Sequence, residues 1–133
     1  MSNDIIADTL TRIRNAQKTG KRSVSVRSSN VVRRVLDVLK GEGFISGFQP
    51  RKEDGARFET LEVVLKYYSN GDPVIGLARR VSKSGMRVYS PVKKFPRVLN
   101  GLGITVVSTS QGMMSDREAK KRKIGGEVVA LIG

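Results

Sequence analysis

Ser108, Thr109 and Ser110 stand together just ahead of Gly112, and Gly125-Gly126-Glu127 follows a run of four cations, Lys120 to Lys123. Hydroxyls donate and accept hydrogen bonds, a carboxylate accepts them, and glycines leave room for a bulky polar partner. Such a set suits recognition of a polyanion at short range. Catalysis is poorly served by comparison. The 133 residues include no histidine and no cysteine, which removes the commonest general base and the thiolate nucleophile. No serine lies in a Gly-x-Ser-x-Gly elbow, and no glycine-rich loop ends in Lys-Ser or Lys-Thr. Without cysteine there is no disulfide framework and no Cys-based zinc site. Neither an enzyme, nor a metal site, nor a cofactor is expected.

Net charge says what the partner is. Twenty-five Lys+Arg against twelve Asp+Glu give a formal +13, a surplus that draws a protein to anions and speeds encounter with them. Residues 1–70 hold 13 cations against 8 acids, and residues 71–133 hold 12 against 4. The charge therefore lies on folded elements in both halves rather than on a tail. Nucleic acid is the first candidate, since each neutralised phosphate releases counterions. A membrane is not expected: no apolar run is long enough to span a bilayer, and no basic helix carries a broad aromatic face. The start, Met-Ser-Asn-Asp, lacks the regions of a secretory signal, so a cytoplasmic protein is expected.

The elements that must position these groups read as two α+β modules. Residues 4–18 space Ile5, Ile6, Leu10, Ile13 and Ala16 for a helix, with Asn3 or Asp4 as its cap and Gly20 as its end. Residues 23–27 alternate as a strand. Ser28-Ser29-Asn30 supplies N-cap candidates for a second helix that turns Val31, Val32, Val35, Leu36 and Leu39 inward and stops at Gly41 and Gly43. Residues 44–51 and 57–67 read as strands, separated by a turn at Glu53-Asp54-Gly55. Helix–strand–helix–strand–strand argues for a small mixed sheet in a module over 1–69. Residues 70–73 break the pattern. The module over 74–133 reads as short strands at 74–80, 86–89, 104–108 and 127–132. It adds a short helix at 93–99 and a well-capped helix whose capping box is Ser115-Asp116-Arg117-Glu118.

Each chemical group has a plainer alternative. Lys120–Lys123 at the end of that helix also suit the negative end of its dipole. The hydroxyl trio also fits a strand end whose side chains close local turns, and Gly125 also fits a helix C-cap. Tyr89, beside Arg87, is either half-buried sheet packing or a surface for stacking on a base. The total charge is harder to explain structurally, because self-repulsion on a small body is a cost without a partner. Few aromatics and no tryptophan point away from a multi-base platform and toward reading the shape of a folded, partly double-stranded RNA.

Several blocks carry a resemblance. Asp4-Ile-Ile-Ala-Asp-Thr-Leu-Thr-Arg-Ile-Arg-Asn15, Glu42-Gly-Phe-Ile45, Gly85-Met-Arg-Val-Tyr89, Asn100-Gly-Leu-Gly-Ile104, Ser108-Thr-Ser110, Asp116-Arg-Glu-Ala119 and Gly125-Gly-Glu127 occur in this order. The chain is thereby similar to the family of bacterial small-ribosomal-subunit protein number eight. The resemblance implies two α+β modules that bind directly to the central domain of small-subunit ribosomal RNA and help it fold during assembly. It also implies neighbouring small-subunit ribosomal proteins as partners, residence in the ribosome and, in some bacteria, repression of the protein's own operon messenger RNA. The implied contact comprises Ser108, Thr109, Ser110, Gly126 and Glu127 with Tyr89 beside it; Arg87, Gly112 and Gly125 flank them in sequence. Ser28 and Ser29, with Asn30 beside them, and Arg14 with Asn15 would add backbone contacts. Five features depart from the family pattern: Ile5 and Ser84 replace usual prolines, Asn30 and Gln111 replace frequent lysines, and the C-terminal Val-Val-Ala-Leu-Ile-Gly lacks an aromatic often found there.

Overall fold

The computed structural model describes residues 4–133, which divide into two compact units, one over Ile5–Gly76 and the other over Leu77–Gly133 with Asp4. The first runs α1 (Ile5–Lys18), β1 (Ser23–Arg27), α2 (Asn30–Gly41), β2 (Gly47–Arg51) and β3 (Thr60–Val64). Its helices bury the stripes that the apolar spacing predicts: Ile6, Leu10, Ile13 and Ala16 from α1, and Val32, Val35, Leu36 and Leu39 from α2. Val26, Leu61 and Val63 supply the sheet's side of that core. Gly20, at φ 75°, ends α1, and the Lys21 amide donates back to the Ala16 carbonyl at 2.9 Å. Of the two cap candidates for α1, Asn3 lies outside the described residues.

The three-stranded sheet has the order β1-β3-β2, and both of its pairings are antiparallel. This corrects the expected mixed sheet. The crossover through α2 does leave β1 and β2 pointing the same way, but the β2–β3 hairpin folds β3 between them. Pro50 then sits on an edge strand, where its missing amide removes no central hydrogen bond. Buried Gln17 braces this unit: its Nε2 donates to the Lys66 carbonyl at 3.2 Å, and its Oε1 accepts the Ile75 amide at 3.1 Å. Residues 68–72 fold into a tight turn, with the Tyr68 amide donating to Asp72 O at 2.8 Å.

The second unit is a five-stranded antiparallel sheet built from β4 (Ala78–Arg80), β5 (Tyr89–Ser90), β6 (Ile104–Thr109), β7 (Gly112–Ser115) and β8 (Gly126–Ile132). Strand β8 pairs with β6 on one side and with β4 and β5 on the other; β7 extends the sheet beyond β6. Helix α3 (Asp116–Arg122) covers one face, where Val107, Met114, Ala119 and Phe95 form a buried cluster. Two single 3-10 turns, at 92–94 and 99–101, replace the expected helix over 93–99. Pro96 is the reason: it lacks an amide and drives the residue before it out of the helical region. Strand β7 was not expected: the sequence reading places no strand between residues 108 and 127. Among the described residues no helix is long and apolar enough to cross a membrane.

Candidate nucleic-acid interface

The Ser108–Ser110 trio ends β6 and enters a tight hairpin. Ser110 and Gln111 form its turn, and Thr109 pairs with Gly112. The trio divides by role. Thr109 Oγ1 accepts the Gln111 amide at 3.1 Å and donates to the Gly112 carbonyl at 2.8 Å, so this hydroxyl closes the turn. Ser108, half-buried, and Ser110, exposed, keep their hydroxyls free of protein partners among the described residues. Gly112 sits at φ 114°, a conformation a side chain opposes, and that is its contribution.

Strand pairing assembles the rest. Tyr89 on β5 faces Glu127 on β8, Glu127 faces Ser108 on β6, and Ser108 faces Met113 on β7. Cross-strand partners project to the same face, so these four residues make one row about 14 Å long across four strands. The neighbouring residues Val107 and Met114 point the other way, into the α3 cluster. The row therefore lies on the face away from α3. Tyr89 is 71% exposed, which decides between its two readings: the ring stands in solvent and is not sheet packing.

Glu127 is held in place. Its Oε2 accepts from the Ser82 hydroxyl and from Arg87 Nη1, the latter at 3.1 Å. Ser82 is fully buried and also accepts the Val88 amide at 3.1 Å. Both donors fall on Oε2, which leaves Oε1 to accept from an outside donor. Sequence reading missed Ser82, because it lies 45 residues from Glu127 along the chain and no local pattern announces the pairing.

The two glycines serve packing. A Cβ on Gly126 would lie 2.3 Å from the Ser108 carbonyl oxygen, and one on Gly125 would lie 2.6 Å from the Ser90 carbonyl oxygen. They bring β8 close to β6 and β5, rather than opening space for a ligand. Gly125 is not the C-cap either: Lys123 fills that place in the left-handed region, at φ 57° and ψ 42°. Half of the expected capping box forms. Ser115 Oγ accepts the Glu118 amide at 3.2 Å, while the Glu118 carboxylate takes Arg122, one turn on, at 3.0 Å. Asp116 does more than begin α3, because its buried carboxylate accepts the Thr105 amide at 3.1 Å and ties the helix to β6.

The remaining expected residues lie in the unit over Ile5–Gly76. Ser29 caps α2 by accepting the Val32 amide at 3.1 Å. Ser28 donates to Glu59 at 3.3 Å and accepts from Arg33 at 3.2 Å, so its hydroxyl is engaged by an ion pair. Asn30 is exposed on the first turn of α2. Arg14 and Asn15 are exposed on α1 and line, with Lys18 and Pro73, a cleft of about 500 Å³.

Similarity to known proteins extends over nearly the whole chain. Residues 4–132 match the family described as Ribosomal protein S8. A protein named "Small ribosomal subunit protein uS8" from Dechloromonas aromatica (strain RCB) is 50% identical over 129 residues, covering 97% of this chain and 96% of its own. Proteins of the same name from Acidovorax sp. (strain JS42) and Acholeplasma laidlawii (strain PG-8A) are 49% and 47% identical over the same coverage. With a family match over residues 4–132 and half-identical relatives of equal length, the chain belongs to the ribosomal protein S8 family.

Proposed function

We propose that this chain binds the central domain of small-subunit ribosomal RNA directly and helps it fold during assembly of the subunit. Membership of the family makes it a structural, non-catalytic constituent of the small ribosomal subunit. The finer reading rests on the row Tyr89–Glu127–Ser108, which continues to the free hydroxyl of Ser110 at the hairpin tip. An exposed ring, a carboxylate oriented by two donors and two unengaged hydroxyls suit short-range contacts to 2′-hydroxyls and base edges. The surplus cations supply phosphate contacts, which position the RNA without reading it. Arg14, Asn15, Ser28, Ser29 and Asn30 are the backbone contacts of the other unit. A messenger presenting the same stem would meet the same row, so repression of the operon follows from the same site.

The test is binding to a central-domain stem and to a scrambled stem of equal length across a salt series. A preference for the true stem that persists as salt rises is the expected result; equal affinity for both would leave only a non-specific basic chaperone.

A further inference from the structure

Phe58 belongs to the loop between β2 and β3, and its ring is 70% exposed. The Arg57 guanidinium lies over it, 5.8 Å from the ring centroid. The ring borders a cleft of about 560 Å³ whose other lining residues are Arg27, Ser28, Glu59 and Thr60. That volume falls within the range of about 300–1,000 Å³ usual for clefts that take small ligands. Among the described residues neither Arg27 nor Arg57 has a carboxylate partner, whereas Glu59 is paired with Arg33. The cleft thus combines an exposed aromatic ring with the Arg27 guanidinium, while Arg57, beside the cleft, lies over the ring.

We propose that this cleft holds a single unpaired RNA nucleotide, its base stacked on Phe58 and its phosphate on Arg27. The inference rests on the RNA-binding reading above, but it names a second site of different chemistry in the unit over Ile5–Gly76. The row on the sheet offers hydrogen-bonding groups for a structured stem. The Phe58 cleft offers stacking and charge, which suit a base already out of a helix. A protein partner fits less well: among the described residues no aliphatic side chain lines the cleft, so an apolar segment would bury little beyond one ring.

The experiment uses the full chain and hexa-adenylate as the single-stranded probe, with an abasic hexamer as the charge-only control. In Phe58→Trp, hexa-adenylate quenches the indole fluorescence and the abasic hexamer does not. Phe58→Ala binds hexa-adenylate about tenfold more weakly, and Arg27→Ala lowers the magnitude of the salt slope by about 1. Phe58→Ala keeps wild-type affinity for the bare central-domain stem and, because the ring is exposed, the wild-type melting temperature. Absence of quenching, or equal binding of both hexamers by wild type and Phe58→Ala, overturns the proposal while leaving stem recognition intact. Loss of stem discrimination with the quench preserved would instead overturn the function proposed for the sheet. A Phe58→Ala variant that binds hexa-adenylate normally but fails to enter small-subunit particles would make the cleft a protein contact and reject the nucleotide.

Discussion

Ser110 lies two residues beyond Ser108 of the row and Gly126 one residue before Glu127, yet they fail differently when changed. The Ser110 hydroxyl makes no bond to the described residues, so Ser110→Ala removes only an outside contact. We expect unchanged thermal stability, with the affinity lost on the true stem larger than that lost on a scrambled one. The expected loss on the true stem is about 1 kcal/mol, the size of one ordinary hydrogen bond. An equal loss on both stems would make the trio a strand end and nothing more. At Gly126 the limit is internal. A methyl group 2.3 Å from the Ser108 carbonyl oxygen must push β8 from β6, since backbone on both sides has no rotamer to yield. Gly126→Ala should therefore destabilise by about 1–3 kcal/mol, read as a lowered urea midpoint, and should weaken stem binding through the displaced Ser108. A stable variant with full affinity would mean that the strands part freely there.

Elements carry what single residues cannot. Helix α2 was legible from the sequence because Ser29, the spacing of Val32, Val35, Leu36 and Leu39, and Gly43 at φ 83° are all local signals. Ser29→Ala should cost about 1 kcal/mol by orphaning the Val32 amide, a loss measurable by denaturant titration. Ser29→Gly should recover most of that loss, because glycine is a far better N-cap residue than alanine. Strand β7 was not legible, and the reason is equally local. Thr109-Ser110-Gln111-Gly112 has the composition of a loop, and Met113-Met114 is too short an apolar run to signal a strand; only pairing with β6 makes Gly112–Ser115 one. Pro96 interrupts the helix expected over 93–99, and the chain makes two short turns there instead.

On the scale of the whole molecule, charge is the dominant property. Six carboxylates are in ion pairs with arginine among the described residues, so few acids remain to offset the lysines. Three of these pairs are about half-exposed at both ends and contribute little to stability; no lysine takes part in any of the six, so the lysines remain, with arginines such as Arg27, as charge not committed to a carboxylate. In the two-stem salt series, Lys121→Ala should weaken both stems alike and reduce the magnitude of the slope by about 1. A change confined to the true stem would place Lys121 among the reading groups.

Composition, periodicity and short motifs were enough to determine the α+β class, both long helices, the absence of catalytic chemistry, the anionic partner and the family. All of these depend on residue type or on spacing within a few turns. What the tertiary structure decided is how the segment over 108–127 is used. Only β5–β8–β6–β7 pairing, which joins residues tens of positions apart, sets Tyr89, Glu127, Ser108 and Met113 in one row. Only close strand contact explains Gly125 and Gly126, and only the buried Ser82 fixes the Glu127 carboxylate. Strand register is a long-range property with no local signature, so the groups were legible in the sequence and their arrangement was not.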